Sequence, residues 1–231
     1  MTETVLVIDD DADLRGLVAV ALAESGYKVV EAADGPAGIA AYHGHQPDLI
    51  VLDIGLGAMD GLEVCRQLRT VGTTPIVFLT SRAEEVDQLV GFAAGADDYV
   101  TKPFSPRLLV ARVGSVLRRG SGGDVPEKTR FEVGPLTIDT ESRTATANGV
   151  ELDLTRTEFD LLTMLMENPR RVVTRDMLLE RVWGSWYGDD HVVEVHMSRL
   201  RSKVKAAGGL RIGVAVRGVG YKLGIEPTAG P

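Results

Sequence analysis

Cysteine is almost absent: Cys65 stands alone among 231 residues. A lone cysteine cannot close an internal disulfide, which excludes a disulfide scaffold and fits a reducing, cytoplasmic setting. Long apolar runs are missing too. The longest, Leu17 to Ala23, is far shorter than the roughly 20 residues a membrane-spanning helix needs. The N-terminus passes from Met1-Thr2-Glu3 straight into a strand-like run, which leaves no room for a signal peptide. No internal repeat and no low-complexity segment is present. What remains is a composition of 44% hydrophobic and 25% charged residues, that of a globular protein, at a length suited to two domains.

The net charge of -8 argues against a nucleic-acid binder when the chain is taken whole. Divided at Gly120, the chain reads differently. Residues 1–120 hold 10 Lys and Arg against 17 Asp and Glu, a net of -7, while residues 121–231 hold 15 against 16, a net of -1. Seven basic residues and no acidic one lie between Val195 and Ile225 (Arg199, Arg201, Lys203, Lys205, Arg211, Arg217, Lys222). A local basic surface on an acidic protein is the distribution that suits DNA.

The first 120 residues alternate β-rich runs with helical patterns. Strands are expected at Val5–Ile8, Lys28–Glu31, Leu49–Leu52, Ile76–Leu79 and Tyr99–Val100. Helices are expected at Ala12–Ser25, Pro36–His43, Leu62–Arg69, Val86–Ala94 and Pro106–Arg118. Five βα units with near-continuous apolar strands predict a doubly wound α/β domain, a parallel five-stranded sheet covered on both faces. A flexible linker is expected over residues 120–130, where Gly120 to Lys128 carries turn-formers and no periodicity. A second, α+β domain is expected over 131–225, followed by a tail at 226–231. Its predicted parts are strands at Phe131–Asp139 and Thr144–Leu152 turning at Asn148-Gly149, and a helix at Phe159–Glu167 opened by the capping box Thr155–Glu158. Helices at Arg175–Trp183 and from Val192 to Ala206 follow, then a closing hairpin at Arg211–Leu223.

Ligands of an open parallel sheet bind beyond the carboxyl ends of its strands. Asp9 and Asp10 follow the first strand, Asp53 ends the third, Thr80 the fourth, and Lys102 follows the fifth. Three carboxylates brought together call for a cation, and an all-oxygen site suits Mg²⁺. A carboxylate nucleophile beside a metal and a lysine makes an aspartyl-phosphate site, with Lys102 and the Thr80 hydroxyl stabilising the phosphoryl oxygens. Taken singly these residues have ordinary explanations, such as helix caps and loops; their convergence in order is what points to chemistry. In the second domain, about 100° per residue from Val193 places Val193, Met197, Leu200 and Val204 on one stripe. His191, Val195, Ser198, Arg201, Ser202 and Lys205 lie opposite, with Arg199 to one side. A helix with that outer face, followed by a basic hairpin, reads as a winged helix-turn-helix. His191 and His196 have no cysteine or carboxylate at zinc-site spacing.

Ile8-Asp9-Asp10-Asp11, Val51-Leu52-Asp53, Leu79-Thr80-Ser81 and Tyr99-Val100-Thr101-Lys102-Pro103-Phe104 resemble a bacterial response-regulator receiver domain over residues 1–119. Trp183-Gly184, Val195 to Arg201 and Arg217-Gly218-Val219-Gly220-Tyr221 resemble the DNA-binding domain of the OmpR/PhoB family. The resemblance implies a transcriptional regulator of a two-component system, phosphorylated on Asp53 by a sensor histidine kinase. It implies Mg²⁺ held by Asp9, Asp10, Asp53 and the Gly55 carbonyl, with Thr80 and Tyr99 as a switch pair. It implies a dimer face that here would comprise Val90, Asp97, Asp98, Leu108 and Arg112, with aliphatics at two positions that are usually charged. DNA contacts would come from His191, Val195, Ser198, Arg199, Arg201, Lys205, Arg217 and Tyr221 on a direct-repeat promoter, with RNA polymerase meeting the Trp183–Asp190 loop. Such a protein phosphorylates itself stoichiometrically and is no enzyme in the turnover sense. The sequence departs from the family in Gly55-Leu56-Gly57, where Met-Pro-Gly is usual, and in His191, Val192 and Ser198. A phosphatase with an aspartyl-phosphate intermediate is the alternative, but Gly55 stands where it would carry a second aspartate. A regulator that binds DNA whether or not it is phosphorylated is the other.

Overall fold

Asp11 opens the first helix by accepting hydrogen bonds from the Asp13 and Leu14 amides, as an N-cap carboxylate does. The same device recurs at Asp34, where Pro36 occupies the first turn, and at Asp60. The computed structural model describes residues 2–57, 59–81, 95–118, 129–184 and 191–225. The chain divides into two compact units, Met1–Gly120 and Ser121–Pro231.

In the first unit, strands β1 (Thr4–Ile8), β2 (Lys28–Ala32), β3 (Leu49–Asp53), β4 (Ile76–Thr80) and β5 (Asp98–Thr101) form one sheet in the order β2-β1-β3-β4-β5. Every pair is parallel. Helices α1 (Ala12–Glu24), α2 (Gly35–His45), α3 (Gly61–Val71) and α4 (Pro106–Arg118) flank it. Alternate strand residues Val5, Val7, Leu49, Val51, Val77 and Leu79 pack with Val18 and Leu22 of α1 and Leu109, Val113 and Val116 of α4. Residues one step out of phase face the other way, and Ile8 lies so close to Gly38 of α2 that a Cβ there would fall 2.5 Å from its Cδ1. Both faces are therefore covered, as a parallel sheet requires. The order reverses at β1, so the carboxyl ends of β1 and β3 flank a crevice. The expected helix at Val86–Ala94 lies outside the described residues.

The second unit begins with an antiparallel sheet of β6 (Arg130–Val133), β7 (Leu136–Asp139), β8 (Thr144–Ala147) and β9 (Val150–Glu151). The single strand expected over Phe131–Asp139 is two strands. Gly134 has φ +57° and Pro135 cannot donate to a ladder, so the run folds back on itself. At the other hairpin, Asn148 and Gly149 both have positive φ, 51° and 78°, as a type I′ turn demands. Helices α5 (Arg156–Glu167), α6 (Arg175–Trp183) and α7 (His191–Gly208) pack together, burying Phe159, Leu162 and Leu165 with Leu178, Val182, Val193, Met197, Leu200 and Val204. The last sheet, β10 (Val173–Thr174), β12 (Gly220–Lys222) and β11 (Val214–Val216), adds to the expected hairpin a strand not foreseen in the sequence. Gly220 makes room for it, since a Cβ at that position would lie 2.1 Å from the Val173 carbonyl oxygen.

Candidate functional site

The strand ends of the first unit meet as the sequence pattern requires. Asp9 and Asp10 follow β1, Asp53 is the last residue of β3, Thr80 the last of β4, and Lys102 follows β5. Parallel register aligns them, with Asp53 opposite Leu79 and Thr80 opposite Thr101. Lys102 Nζ lies 2.9 Å from Asp53 Oδ1 and 3.0 Å from Asp9 Oδ2. Asp9, Asp10 and Asp53 each bring a carboxylate oxygen within 4.8 Å of the others. Asp9, Asp53 and Thr80 are buried, whereas Asp10 is exposed. A cavity of about 420 Å³ opens beside them, lined by Asp53, Gly55, Gly57, Thr80 and Ser81 among others.

Several local contacts hold this arrangement. Asp9 is gripped from three directions: its Oδ1 accepts from the Asp11 amide, its Oδ2 from Lys102, and its carbonyl from Arg15 Nη1 at 2.7 Å. Gly61 lets α3 start hard against β3, for a Cβ there would fall 2.0 Å from the Asp53 carbonyl oxygen. Burial raises the Asp53 carboxyl above its ordinary range; Lys102 opposes this, while the Asp9 and Asp10 carboxylates add to the rise. Burial pulls the Lys102 ammonium down, but hydrogen bonds to Asp53 and Asp9 outweigh it and leave Lys102 raised. The pocket thus holds a cation and a carboxylate whose charge is costly unless more positive charge arrives.

Residues expected on a dimer face behave differently. Asp97 is wholly buried, accepting from Arg69 Nη2 at 2.9 Å and from the Ile76 amide at 3.0 Å. It ties α3 to the start of β4, so its placement on an outer face is corrected. Asp98 is also buried and meets Arg112 Nη1 at 3.6 Å within the same chain. Leu108 is 41% exposed, and Tyr99 is half-buried. Val90 lies outside the described residues.

In the second unit, His191, Ser198 and Lys205 are exposed along α7, Val195 is half-buried, and Arg217 is exposed at the turn between β11 and β12. Three residues expected on the same outward surface are turned inward. Arg199 Nε lies 3.3 Å from the buried Glu158 carboxylate. Arg201 donates through Nε and Nη2 to the Gly213 carbonyl and sits 5.4 Å from the Tyr221 ring centroid. Tyr221 is 3% exposed; burial, with Glu194 nearby, pushes its phenol up, opposed by a hydrogen bond with Arg175. A helical wheel cannot foresee these placements, because acceptors on α5 and on the approach to β11 draw the long side chains off the helix normal. Beyond Gly184 the loop expected to meet a partner lies outside the described residues.

Two family models match the chain: the response regulator receiver domain over residues 5–114, and the C-terminal domain of transcriptional regulatory proteins over residues 149–223. The sensory transduction protein RegX3 of Mycobacterium tuberculosis is 43% identical over 225 residues, covering 95% of this chain and 98% of its own. The chain belongs to the OmpR/PhoB-type response regulators. The DNA-binding response regulator MtrA of Mycobacterium tuberculosis is 42% identical over 226 residues, covering 97% of this chain and 98% of its own. Among solved structures, that of a cysteine-to-aspartate mutant of RitR matches with a TM-score of 0.75 at 28% identity over 96% of this chain and 98% of its own. The Thermotoga maritima response regulator DrrB, an OmpR/PhoB homologue, matches with a TM-score of 0.52 at 32% identity over 96% and 99%.

This response regulator is accordingly a DNA-binding, two-component transcription regulator with an acidic receiver pocket. No helix among its described residues is long and apolar enough to cross a membrane. Two supporting residues carry no signal in the sequence pattern. Arg15 is an ordinary basic position in α1, yet it holds the Asp9 carbonyl and lies 3.5 Å from Glu31. Arg175 opens α6 and pairs with Glu194 of α7, which also meets His191 at 3.3 Å. Glu158 was legible as a capping residue alone; its two cationic partners were not.

Proposed function

We propose that Asp53 is the phosphoacceptor of this regulator and that its modification controls DNA binding. The observation that carries the reading is the Lys102 ammonium set between the Asp53 and Asp9 carboxylates at 2.9 and 3.0 Å. Asp9, Asp10 and Asp53 offer oxygen donors alone within 4.8 Å of one another, a set that fits Mg²⁺. They would hold it together with the Gly55 carbonyl, Asp9 in part through water. Bound there, the ion would neutralise the clustered carboxylates and the oxygens of the phosphoryl group.

Lys102 holds Asp53 Oδ1, so Oδ2, on the side of Gly55, is the attacking oxygen. An oxygen–phosphorus bond forms at Oδ2 as the nitrogen–phosphorus bond of the kinase phosphohistidine breaks, and the departing imidazole takes a proton from water. Lys102 and the Thr80 hydroxyl then stabilise the phosphoryl oxygens, and Tyr99 turns inward as Thr80 moves. The event is stoichiometric, with slow self-dephosphorylation and no turnover of an external substrate. Phosphorylated receivers pair through the surface around Leu108, with the Asp98–Arg112 pair at its side, and two heads bind a direct repeat. His191, Val195, Ser198 and Lys205 of α7 face the major groove, Arg217 enters the minor groove, and the loop after Trp183 meets RNA polymerase. The regulator works in the cytoplasm, beside its sensor kinase.

The test is chemical. Incubation with a small phosphodonor and Mg²⁺ adds one base-labile phosphoryl group to the wild type and none to Asp53→Asn, as read by intact mass. An equal mass gain in the variant would move the nucleophile elsewhere. DNA affinity before and after phosphorylation separates this reading from a regulator indifferent to phosphorylation.

A further inference from the structure

Of the seven basic residues between Val195 and Ile225, Arg199, Arg201 and Lys203 are engaged within the fold. Arg199 and Lys203 lie one turn apart on α7 and meet a single carboxylate from the first turn of α5. Arg199 Nε is 3.3 Å from Glu158 Oε1, and Lys203 Nζ is 2.7 Å from Glu158 Oε2. Glu158 is 0% exposed. Its Oε2 also accepts from the Thr155 amide at 2.9 Å, closing the capping box, and Lys203 donates further to the Asp153 carbonyl at 2.7 Å. The exposed positions left on α7 are His191, Ser198, Ser202, Lys205 and Ala206, a face with one permanent cation.

Capping alone does not require this charge. Glutamine serves equally well at the third position of a capping box, and burying an ionised carboxylate carries a solvation penalty that a neutral amide avoids. The charge at position 158 therefore acts on Arg199 and Lys203. We propose that Glu158 limits sequence-independent DNA binding without itself touching DNA. It draws Arg199 and Lys203 against α5 and withholds them from the phosphate backbone, leaving the outward face of α7 to discriminate bases. Phosphate contacts add affinity to every sequence alike, whereas base-edge contacts do not. Withholding two cations thus lowers adhesion to every duplex, random sequence included, and leaves the preference among sequences to base contacts.

This rests on α7 being the helix that docks on DNA, and the experiment separates the two ideas. Full-length protein is titrated, over a series of salt concentrations, with a random-sequence duplex and with a duplex enriched from a randomised pool. Lys205→Ala tests docking, since loss of one exposed phosphate contact lowers the slope of log affinity against log salt by about one. Glu158→Gln is expected to bind both duplexes more tightly and to steepen the slope by about one for each cation released, with the ratio between the duplexes kept. Adding Lys203→Met to Glu158→Gln removes about one unit of that gain, while Lys203→Met alone keeps the wild-type slope. An unchanged slope in Lys205→Ala would remove the docking reading, and this inference with it. A normal Lys205 response beside an unchanged slope and an unchanged affinity for the random duplex in Glu158→Gln overturns the withholding alone. If Glu158→Gln does not fold, Lys203→Met decides: a wild-type slope supports the proposal, and a slope lower by about one unit means Lys203 already sits on phosphate.

Discussion

A Cβ on Gly57 would lie 3.5 Å from Asp10 Oδ2, and Gly57 has φ +54°. The position where the family usually has proline therefore adopts a conformation closed to proline, whose ring holds φ near about −65°. The loop after Asp53 is built to a different backbone, with the residue after Leu56 pressed toward the acidic cluster. Gly57→Pro is expected to abolish phosphorylation by small donors and to lower the melting temperature. Gly57→Ala, strained by about 1–2 kcal/mol in the left-handed region, is expected to weaken Mg²⁺ binding while leaving the fold intact. Calorimetric Mg²⁺ titration of both variants checks this, and wild-type affinity in Gly57→Pro would show that the loop has no such constraint.

Proton linkage at Asp53 gives a second expectation. Burial raises its carboxyl above the ordinary range. A group whose folded pKa exceeds its unfolded value stabilises the fold below the unfolded value, and that contribution is lost as pH rises through the folded one. At neutral pH the ionised carboxylate is thus a burden on the fold. In metal-free buffer Asp53→Asn is expected to melt above the wild type at neutral pH, the difference shrinking toward acid and again when Mg²⁺ is added. Equal melting temperatures at neutral pH would contradict it.

Leu108 leads to a third. It is 41% exposed on α4, one turn before Arg112, whose guanidinium is already paired with Asp98 inside the chain. A dimer built on that surface gains from apolar burial more than from charge, and apolar contacts are indifferent to ionic screening. Sedimentation of the phosphorylated protein is expected to show dimers little affected by salt, and monomers for Leu108→Glu. Dimers of normal strength in that variant would remove Leu108 from the interface.

Two arginines of the DNA head should separate cleanly. Arg201 supports the approach to β11 through Gly213 and packs on Tyr221, while Arg217 is exposed at the hairpin turn. Arg217→Ala is expected to lower the salt slope by about one if it pairs with phosphate. Arg201→Ala is expected to lower thermal stability and to weaken binding evenly, with the salt slope and base profile kept. Selection from a randomised site library at two salt concentrations measures both, and a changed base profile in Arg201→Ala would put that side chain back on the DNA.

Much of this was legible in the chain. The βα alternation, the placing of Asp9, Asp10, Asp53, Thr80 and Lys102 at strand ends, and the Thr155–Glu158 capping box all depend on local order, which sequence carries directly. What was hidden depends on contacts between distant segments. Asp97 and Asp98 are adjacent, but a two-residue alternation cannot tell which carboxylate finds Arg69 and which finds Arg112. Arg199 and Arg201 sit on opposite flanks of α7 and look outward on a wheel until Glu158 and the Gly213 carbonyl are supplied. Strand β10 has two residues, too few for any periodicity to register.

That short strand reaches further than its length suggests. Thr174 pairs with Gly220 in the β10–β12 ladder, and its hydroxyl is also the N-cap of α6, accepting from the Met177 amide at 3.2 Å. One residue thus closes the ladder of the hairpin and starts the helix. Fraying of β12 must release the cap, and melting of α6 must release the hairpin, so the two open as one cooperative unit. Amide exchange at Tyr221 and in the first turns of α6 should therefore share a single opening free energy, and a ligand that steadies the hairpin would slow exchange in a helix it never touches.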